Sequence, residues 1–279
     1  MIKTCYHTHS HYCDGKGKPK AYVESALEKG FSALGFSSHS PWPTSDCGIK
    51  EKQVPKYVKE IQGLKEQYAG QLDIYLGLEI EYFPGFSSAA DEYYDTLPLE
   101  YRIGSLHSLW DEREEKWYAV DWTLEQYKHI LNDMCGGMME NFARLYYGHI
   151  RDMIRVGRID ILGHMDLIKK HNKGEVWFSE DASWYRDEVM DTLDCLKDTG
   201  IILEVNTGGL CRGYTDTVYP SPWILKEACD RGIPTQLNGD AHSPENLDFA
   251  YDEGQKVIAE AGYKDVRVLL DGVWSDRPI

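Results

Sequence analysis

Near its N-terminus the chain reads Cys5-Tyr-His-Thr-His-Ser-His-Tyr-Cys-Asp14-Gly15, and this stretch decides how the fold is interpreted. Alternate side chains of a β-strand point to the same face, so an extended segment from Met1 to His9 brings His7 and His9 together. Asp14 follows in a turn and can approach the same point from the side. Two imidazoles and a carboxylate suit zinc, iron or manganese. The stretch therefore predicts a metal site at the end of the first strand.

Six further segments of the chain have the length and apolar content of β-strands. They span residues 32–39, 74–81, 102–107, 159–166, 201–206 and 233–242. Helical spacing predicts helices at about 19–29, 54–68 and 185–198, and residues 111–158 are predicted to be mostly helical. Strands that alternate with helices indicate an α/β fold with a parallel sheet, and a (β/α) barrel is ordinary at this length.

Side chains that bind metals lie at or just after the C-terminal ends of most of these strands. They are His7, His9, Asp14, His39, Glu79, Glu81, His107, His164, Asp240 and His242. In a (β/α) barrel the active site lies at that end, where the loops after the strands meet. We therefore expect one barrel domain over residues 1–279, with a metal site at the C-terminal ends of its strands.

The composition limits the possible partners and location of the protein. The chain has 279 residues, 42% of them hydrophobic, and a net charge of −16 from 46 acidic and 30 basic residues. Such a charge repels nucleic acid. No apolar run approaches the roughly 18 residues of a membrane helix, and no signal peptide precedes the first strand. Seven scattered cysteines indicate reduced thiols. We expect a cytoplasmic protein that acts on a small molecule.

The number of candidate ligands indicates more than one metal ion. Four carboxylates and six imidazoles exceed the needs of one tetrahedral ion. They suit two to three divalent ions about 3.5 to 4 Å apart, which can bind the attacking and leaving oxygens of a phosphate ester together. Mixed nitrogen and oxygen ligands admit zinc, manganese, iron or cobalt. Glu79 is the expected bridging carboxylate, and Glu81 on the same strand face is the alternative. Arg212 follows a Gly-Gly turn and is the candidate phosphate ligand.

Six short motifs resemble, in order and over essentially the whole chain, those of the PHP (polymerase and histidinol phosphatase) superfamily. They are His7-Thr-His9 with Asp14-Gly15, Ser38-His39-Ser40, Gly77-Leu-Glu79, Ser105-Leu-His107-Ser108, Gly163-His164-Met-Asp166 and Gly239-Asp240-Ala-His242. Three further stretches are similar to the monofunctional histidinol-phosphate phosphatases within it. These are Glu79-Ile-Glu81-Tyr, Asn206-Thr-Gly-Gly-Leu-Cys-Arg212 and Tyr219-Pro-Ser-Pro222.

The resemblance implies a distorted (β/α)7 TIM-like barrel with a trinuclear centre. The first ion would be held by His7, His9, Glu79 and Asp240, the second by Glu79, His107 and His164, and the third by Asp14, His39 and His242. The implied reaction is hydrolysis of L-histidinol phosphate to L-histidinol and phosphate, a step of histidine biosynthesis. A hydroxide shared by two ions would attack phosphorus, while the third ion and Arg212 neutralise the phosphate oxygens. Asp240 or a metal-bound water would handle the protons. His39 and Glu81 would contact the substrate, with Glu81 on its ammonium group.

Three other functions compete with this one. A relative with the same metals could act on another small phosphoester or on a nucleotide. A metal-binding module without turnover has little support, because every expected ligand is present. An amidohydrolase is disfavoured because no lysine stands at a strand end to act as a ligand.

Overall fold

Seven parallel strands form the central sheet in the computed structural model, which describes residues 2–42 and 47–279. Two antiparallel hairpins accompany them in these residues. The strands are β1 (Thr4–Cys5), β2 (Ala33–Phe36), β3 (Asp73–Glu81), β4 (Tyr101–Ser105), β5 (Ser108–Asp111), β6 (Lys116–Ala119), β7 (Ile161–Leu162), β8 (Ile202–Asn206), β9 (Thr235–Asn238), β10 (Asp265–Leu270) and β11 (Val273–Pro278). The sheet order is β1-β2-β3-β4-β7-β8-β9.

Helices connect the barrel strands. Within the part of the chain that the structure describes they are α1 (Pro19–Glu28), α2 (Val54–Gln67), α3 (Glu92–Asp95), α4 (Leu124–His129), α5 (Met139–Val156), α6 (Ser183–Leu196), α7 (Gly208–Cys211), α8 (Pro222–Asp230) and α9 (Tyr251–Ala261). A π-helical turn, Ile130–Met134, extends α4, and short 3-10 turns occur in several loops. None of the helices in residues 2–42 and 47–279 is long and apolar enough to cross a membrane.

The sheet nearly closes between its first and last strands. The backbone N–H of His9 donates to Ala241 at 2.9 Å, and that of Ala241 donates to His7 at 3.2 Å. These bonds bring the residues after β1 beside those after β9. The architecture confirms the predicted distorted (β/α)7 barrel. The turn residues of segment 40–48 predict an active-site loop there, and its residues 43–46 lie outside the described part of the chain.

Two departures from the predicted elements shape the mouth of the barrel. The region 111–158 is not mostly helical from its start, because β5 and β6 form a hairpin before α4 begins at Leu124. The charged turn between them has Glu115 at a φ of 50°, a left-handed conformation without the glycine that usually marks a hairpin. In addition, β1 ends at Cys5 rather than continuing to His9.

The opposite end of the barrel interior is apolar and is covered by a hairpin that we did not predict. Strands β10 and β11 pair along their whole length, and Leu269 packs with the interior residues Tyr6, Tyr75 and Tyr101. The Tyr6 hydroxyl donates to the backbone oxygen of Leu269 at 2.7 Å and accepts from its N–H at 2.9 Å. The hairpin therefore completes the core at the N-terminal end of the strands.

Candidate metal centre

The carboxylate of Glu79 lies at the centre of the other barrel end. β3 carries it inward at the point where neighbouring strands end, and the residue is only 1% exposed. Five imidazoles surround its two oxygens at 2.9 to 3.5 Å. They belong to His7, His9, His39, His107 and His164. Glu79, not Glu81, therefore occupies the position from which one carboxylate can reach several ions.

Two more predicted carboxylates join the cluster from the loops after β1 and β9. Asp240 Oδ1 lies 3.2 Å from His9 Nε2 and 3.7 Å from His7 Nε2. Asp14 Oδ2 lies 3.2 Å from His242 Nε2. Asp240 has a φ of 47°, and a left-handed conformation is unusual for a residue other than glycine and is frequent at functional sites.

Two buried carboxylates stand behind the imidazoles. His7 Nδ1 lies 2.6 Å from Glu204 Oε1, and His107 Nδ1 lies 2.5 Å from Glu81 Oε2. A carboxylate accepts hydrogen bonds, so each Nδ1 donates its hydrogen to the carboxylate behind it, and each Nε2, which faces Glu79, is the ring nitrogen available to a metal ion. Histidines that bind metals are commonly oriented by carboxylates in this way.

Glu81 is therefore not where we expected it. It does not lie above the cluster to meet a substrate, because its oxygens also accept from the backbone N–H groups of His107 and Ser108 at 2.7 and 3.0 Å. Sequence reasoning also missed a role for Glu204, which accepts from the N–H of His164 at 2.9 Å. Its inward parity on β8 was visible, but parity does not show which neighbour a side chain meets.

The carboxylates and imidazoles change one another's pKa values. Burial lowers the pKa of His107, but Glu81 and Glu79 outweigh burial and raise it to about 9. His7 is likewise buried, and Glu204 and Glu79 raise its pKa well above the usual range. Burial, His242 and His39 lower the pKa of His9 to about 3. The carboxylates thus favour positive charge on His7 and His107, whereas His9 stays neutral, and metal ions that replace the protons on His7 and His107 would release them on binding.

The buried polar atoms of the cluster fit metal ions better than they fit one another. Four of them have no hydrogen-bond partner among the described residues: His7 Nε2, His9 Nε2, His39 Nδ1 and Glu79 Oε2. Buried polar atoms are normally paired, so unpaired ones need an explanation. Four overlapping groups in the described chain could each hold an ion, namely His7–His9–Asp240, His7–Glu79–His164, His39–Glu79–His107 and His9–Asp14–His39–His242. Imidazole nitrogens and carboxylate oxygens are the donors that zinc, manganese and iron accept.

Arg212 lies beside this cluster, at the end of α7. Its Nη2 donates to Asp240 Oδ2 at 2.7 Å, and its Nη1 lies 3.2 Å from the Asp240 backbone oxygen and 3.1 Å from His242 Nδ1. A Cβ at Gly208 would come within 2.6 Å of Arg212 Nη2 and 2.7 Å of Asp240 Oδ2. The glycine is therefore required for this close approach. Burial opposes the charge on Asp240, but Arg212 and His7 hold its pKa well below the usual range.

A cavity of about 470 Å³ opens above the cluster. Asp14, His39, Glu79, Asp240, His242 and Arg212 line its polar part, while Glu81 and Glu204 do not line it. The hairpin β5–β6 and the loops near it contribute aromatic and charged walls, including Trp117, Asp121, Lys170 and Tyr214. Its size suits a small molecule.

Comparison with known proteins agrees with this arrangement. The family model described as PHP domain matches residues 6–208, which is more than half of the chain. The chain belongs to the PHP domain family. Every residue of the centre up to Glu204 lies within the matched part of this PHP domain, whereas Asp240 and His242 lie beyond it.

Curated relatives of this PHP domain protein cover nearly its whole length. A probable histidinol-phosphatase of Deinococcus radiodurans is 30% identical over 268 residues, covering 93% of this chain and 94% of the relative. A histidinol-phosphatase of Bacillus subtilis is 29% identical over 267 residues, covering 90% of this chain and 98% of the relative.

Solved structures support the fold. A putative histidinol phosphatase of Listeria monocytogenes has a TM-score of 0.79 at 22% identity, covering 90% of this chain and 99% of the other. Histidinol phosphate phosphatase of Lactococcus lactis was solved with zinc, L-histidinol and phosphate. It has a TM-score of 0.78 at 20% identity, covering 98% of this chain and 99% of the other. Both place this chain in the same distorted barrel fold.

Proposed function

We propose that the protein is a metal-dependent phosphomonoesterase that hydrolyses L-histidinol phosphate to L-histidinol and phosphate. The observation that carries this proposal is the set of five imidazoles around the Glu79 carboxylate, with Arg212 beside it and a cavity above. The names of the two curated relatives support the choice of substrate.

Three groups of side chains would hold the ions. The first is His7, His9, Glu79 and Asp240, the second is Glu79, His107 and His164, and the third is Asp14, His39 and His242. The contacts of Glu79 Oε2 with His7 and of Oε1 with His164 support a shared role for that carboxylate. Zinc, manganese and iron all fit these donors. When bound, such ions supply a Lewis acid for the phosphate oxygens and lower the pKa of water.

Arg212 is suited to bind the phosphate group. Its contacts with Asp240 and His242 use both hydrogens of Nη1 and one of Nη2. A guanidinium has five N–H donors, so within the part of the chain that the structure describes one on Nη2 and the one on Nε are left for phosphate oxygens. The ion pair with Asp240 holds the guanidinium over the cluster while these donors remain available.

Asp240 is suited to bind a metal ion in its ionised form. Its carboxylate stays ionised because Arg212 and His7 hold its pKa low. It lies against both His9 and Arg212, between the proposed metal ligands and the proposed phosphate ligand. We assign it to metal binding, and either Asp240 or a metal-bound water would handle the protons during attack on phosphorus. His39, which lines the cavity and contacts Glu79, would also face the bound phosphate.

Phosphate release from L-histidinol phosphate by the purified protein tests the proposal. We expect a kcat/KM for this substrate far above that for p-nitrophenyl phosphate, O-phosphoethanolamine and nucleoside monophosphates. A nucleotide is the strongest rival substrate, because indole rings in the cavity wall could stack on a base. A kcat/KM that is highest for a nucleotide would show that the nucleotide, and not L-histidinol phosphate, is the preferred substrate. No phosphate release from any member of the panel by the metal-loaded protein would reject phosphatase activity.

A further inference from the structure

The wall of the cavity carries a group of aromatic rings. We use the term indole wall for Trp42, Trp110, Trp117 and Trp122, which all line the cavity. The rings of Trp110 and Trp117 are 5.1 Å apart, and Phe83 packs against Trp117 at 4.7 Å. Trp42 continues this surface toward the metal ligands, with its ring 5.7 Å from that of His107. A flat ring system can pack against such a surface.

One carboxylate in this part of the cavity is used by neither the metal centre nor the core. Asp121 follows β6 and lines the cavity. Burial raises the pKa of its carboxyl group, but Lys170, His107 and His164 outweigh burial and lower it. Lys170 Nζ lies 3.0 Å from Asp121 Oδ2, and Lys170 also sits over the Tyr214 ring at 4.5 Å. The lysine thus fixes Asp121 through one oxygen, and no hydrogen bond from residues 2–42 or 47–279 reaches the other oxygen, which can accept one from a ligand.

These observations give the cavity two chemically different regions. The region at Arg212 and the proposed metal ligands attracts a phosphate dianion. The region at Asp121 and the indole wall combines an acceptor for a cation with a surface for a flat ring. A ligand that has phosphate at one end, and a cationic amine with a planar heterocycle at the other, matches both regions. Glu81 cannot serve the amine, because its oxygens are bonded to His107 and Ser108.

We propose that Asp121 and the indole wall form the specificity subsite for the amino and imidazole groups of the substrate. Asp121 accepts a hydrogen bond from the ammonium group, and Trp117 packs against the imidazole ring. This assignment rests on the proposed function, since it takes L-histidinol phosphate as the substrate.

Three phosphomonoesters separate the two contacts. L-Histidinol phosphate has an ammonium group and a ring, O-phosphoethanolamine has only the ammonium group, and p-nitrophenyl phosphate has only the ring. In Asp121→Asn we expect kcat/KM for the two ammonium substrates to fall about 10- to 100-fold relative to p-nitrophenyl phosphate, as for a lost hydrogen bond to a charged group. In Trp117→Leu we expect kcat/KM for the two substrates with a ring to fall relative to that for O-phosphoethanolamine.

Product inhibition provides a readout that a merely structural role would not move. L-Histidinol should inhibit Asp121→Asn more weakly than it inhibits the wild type, whereas inhibition by inorganic phosphate should not change. The matched control is Asp252→Asn, which removes an exposed carboxylate of α9 outside the cavity. It should behave as the wild type in both assays.

The outcomes separate this assignment from the proposed function. Equal losses for all three substrates in Asp121→Asn, or unchanged inhibition by L-histidinol, would overturn the subsite while leaving the proposed function standing. If the wild-type protein does not hydrolyse L-histidinol phosphate, both are overturned.

Discussion

The two ends of the barrel interior are built from the same strands but differ in whether their buried polar groups are hydrogen-bonded. At the N-terminal end, the hydroxyl groups of Tyr6 and Tyr101 are hydrogen-bonded, the latter to the backbone oxygen of Tyr6 at 2.6 Å. At the C-terminal end, one buried ring nitrogen on each of His7, His9 and His39 lacks a hydrogen-bond partner among the described residues. The first end is complete without a ligand, whereas the second becomes complete only with one.

A single strand shows how this difference arises. Tyr75, Gly77 and Glu79 all face the interior along β3, in order from the apolar end to the polar end. A Cβ at Gly77 would lie 2.4 Å from the Tyr101 ring, so the glycine leaves space for the tyrosine. Glu79, two residues later, meets imidazoles instead of aromatic carbon. Packing fills one end of the barrel, and charge is concentrated at the other.

The largest expected effect comes from removing the charge of Glu79. In Glu79→Gln the shape is kept, but the carboxylate shared by five imidazoles is lost. We expect the metal content to fall and kcat/KM for phosphate release to drop on the order of 10³-fold or more. A Glu79→Gln protein that keeps both its ions and its activity would show that the polar end is not organised by this residue.

A substitution at the apolar end should have the opposite signature. Leu269→Ala removes a side chain of β10 that is 3% exposed and packs against the interior tyrosines. We expect the free energy of unfolding to fall by about 2 to 5 kcal/mol, measured by denaturant titration. Metal content and kcat/KM per folded molecule should stay at their wild-type values. Loss of metal without loss of stability would mean that the two ends are not independent.

A smaller effect is expected for the carboxylates that hold the imidazoles from behind. Glu204→Gln and Glu81→Gln should each weaken metal binding about 10- to 100-fold, as is typical when the partner of a histidine ligand is removed. Competition with a chelator measures this affinity. Glu253→Gln, at an exposed position of α9, is the matched control. Equal metal affinity in all three variants would reject the orienting role.

Much of the polar end could be predicted from the sequence, because alternation on a strand shows which side chains share a face. His39, Glu79, His107 and His164 all lie at strand ends and converge as expected. Alternation does not show which neighbouring side chain is met. For that reason Glu81 was expected to contact substrate, although it bonds to His107, and Glu204 was overlooked.

The hairpins show two different limits of sequence reasoning. The turn between β10 and β11 is Asp271-Gly272, and both residues have positive φ, 50° and 75°. This dipeptide is a strong hairpin signal that we did not use. The β5–β6 turn is a run of charged residues without glycine, which fits a helix equally well by composition. Only its packing over the cavity, with Trp117 against Phe83, accounts for the hairpin.

The most direct test of the account is to count the metal ions in the purified protein and to follow phosphate release as they are removed and replaced. The account predicts two to three divalent ions per chain. Hydrolysis of L-histidinol phosphate should be lost on chelation and should return when zinc, manganese or iron is added. A protein that hydrolyses this substrate at full rate without any bound divalent ion would contradict the central claim.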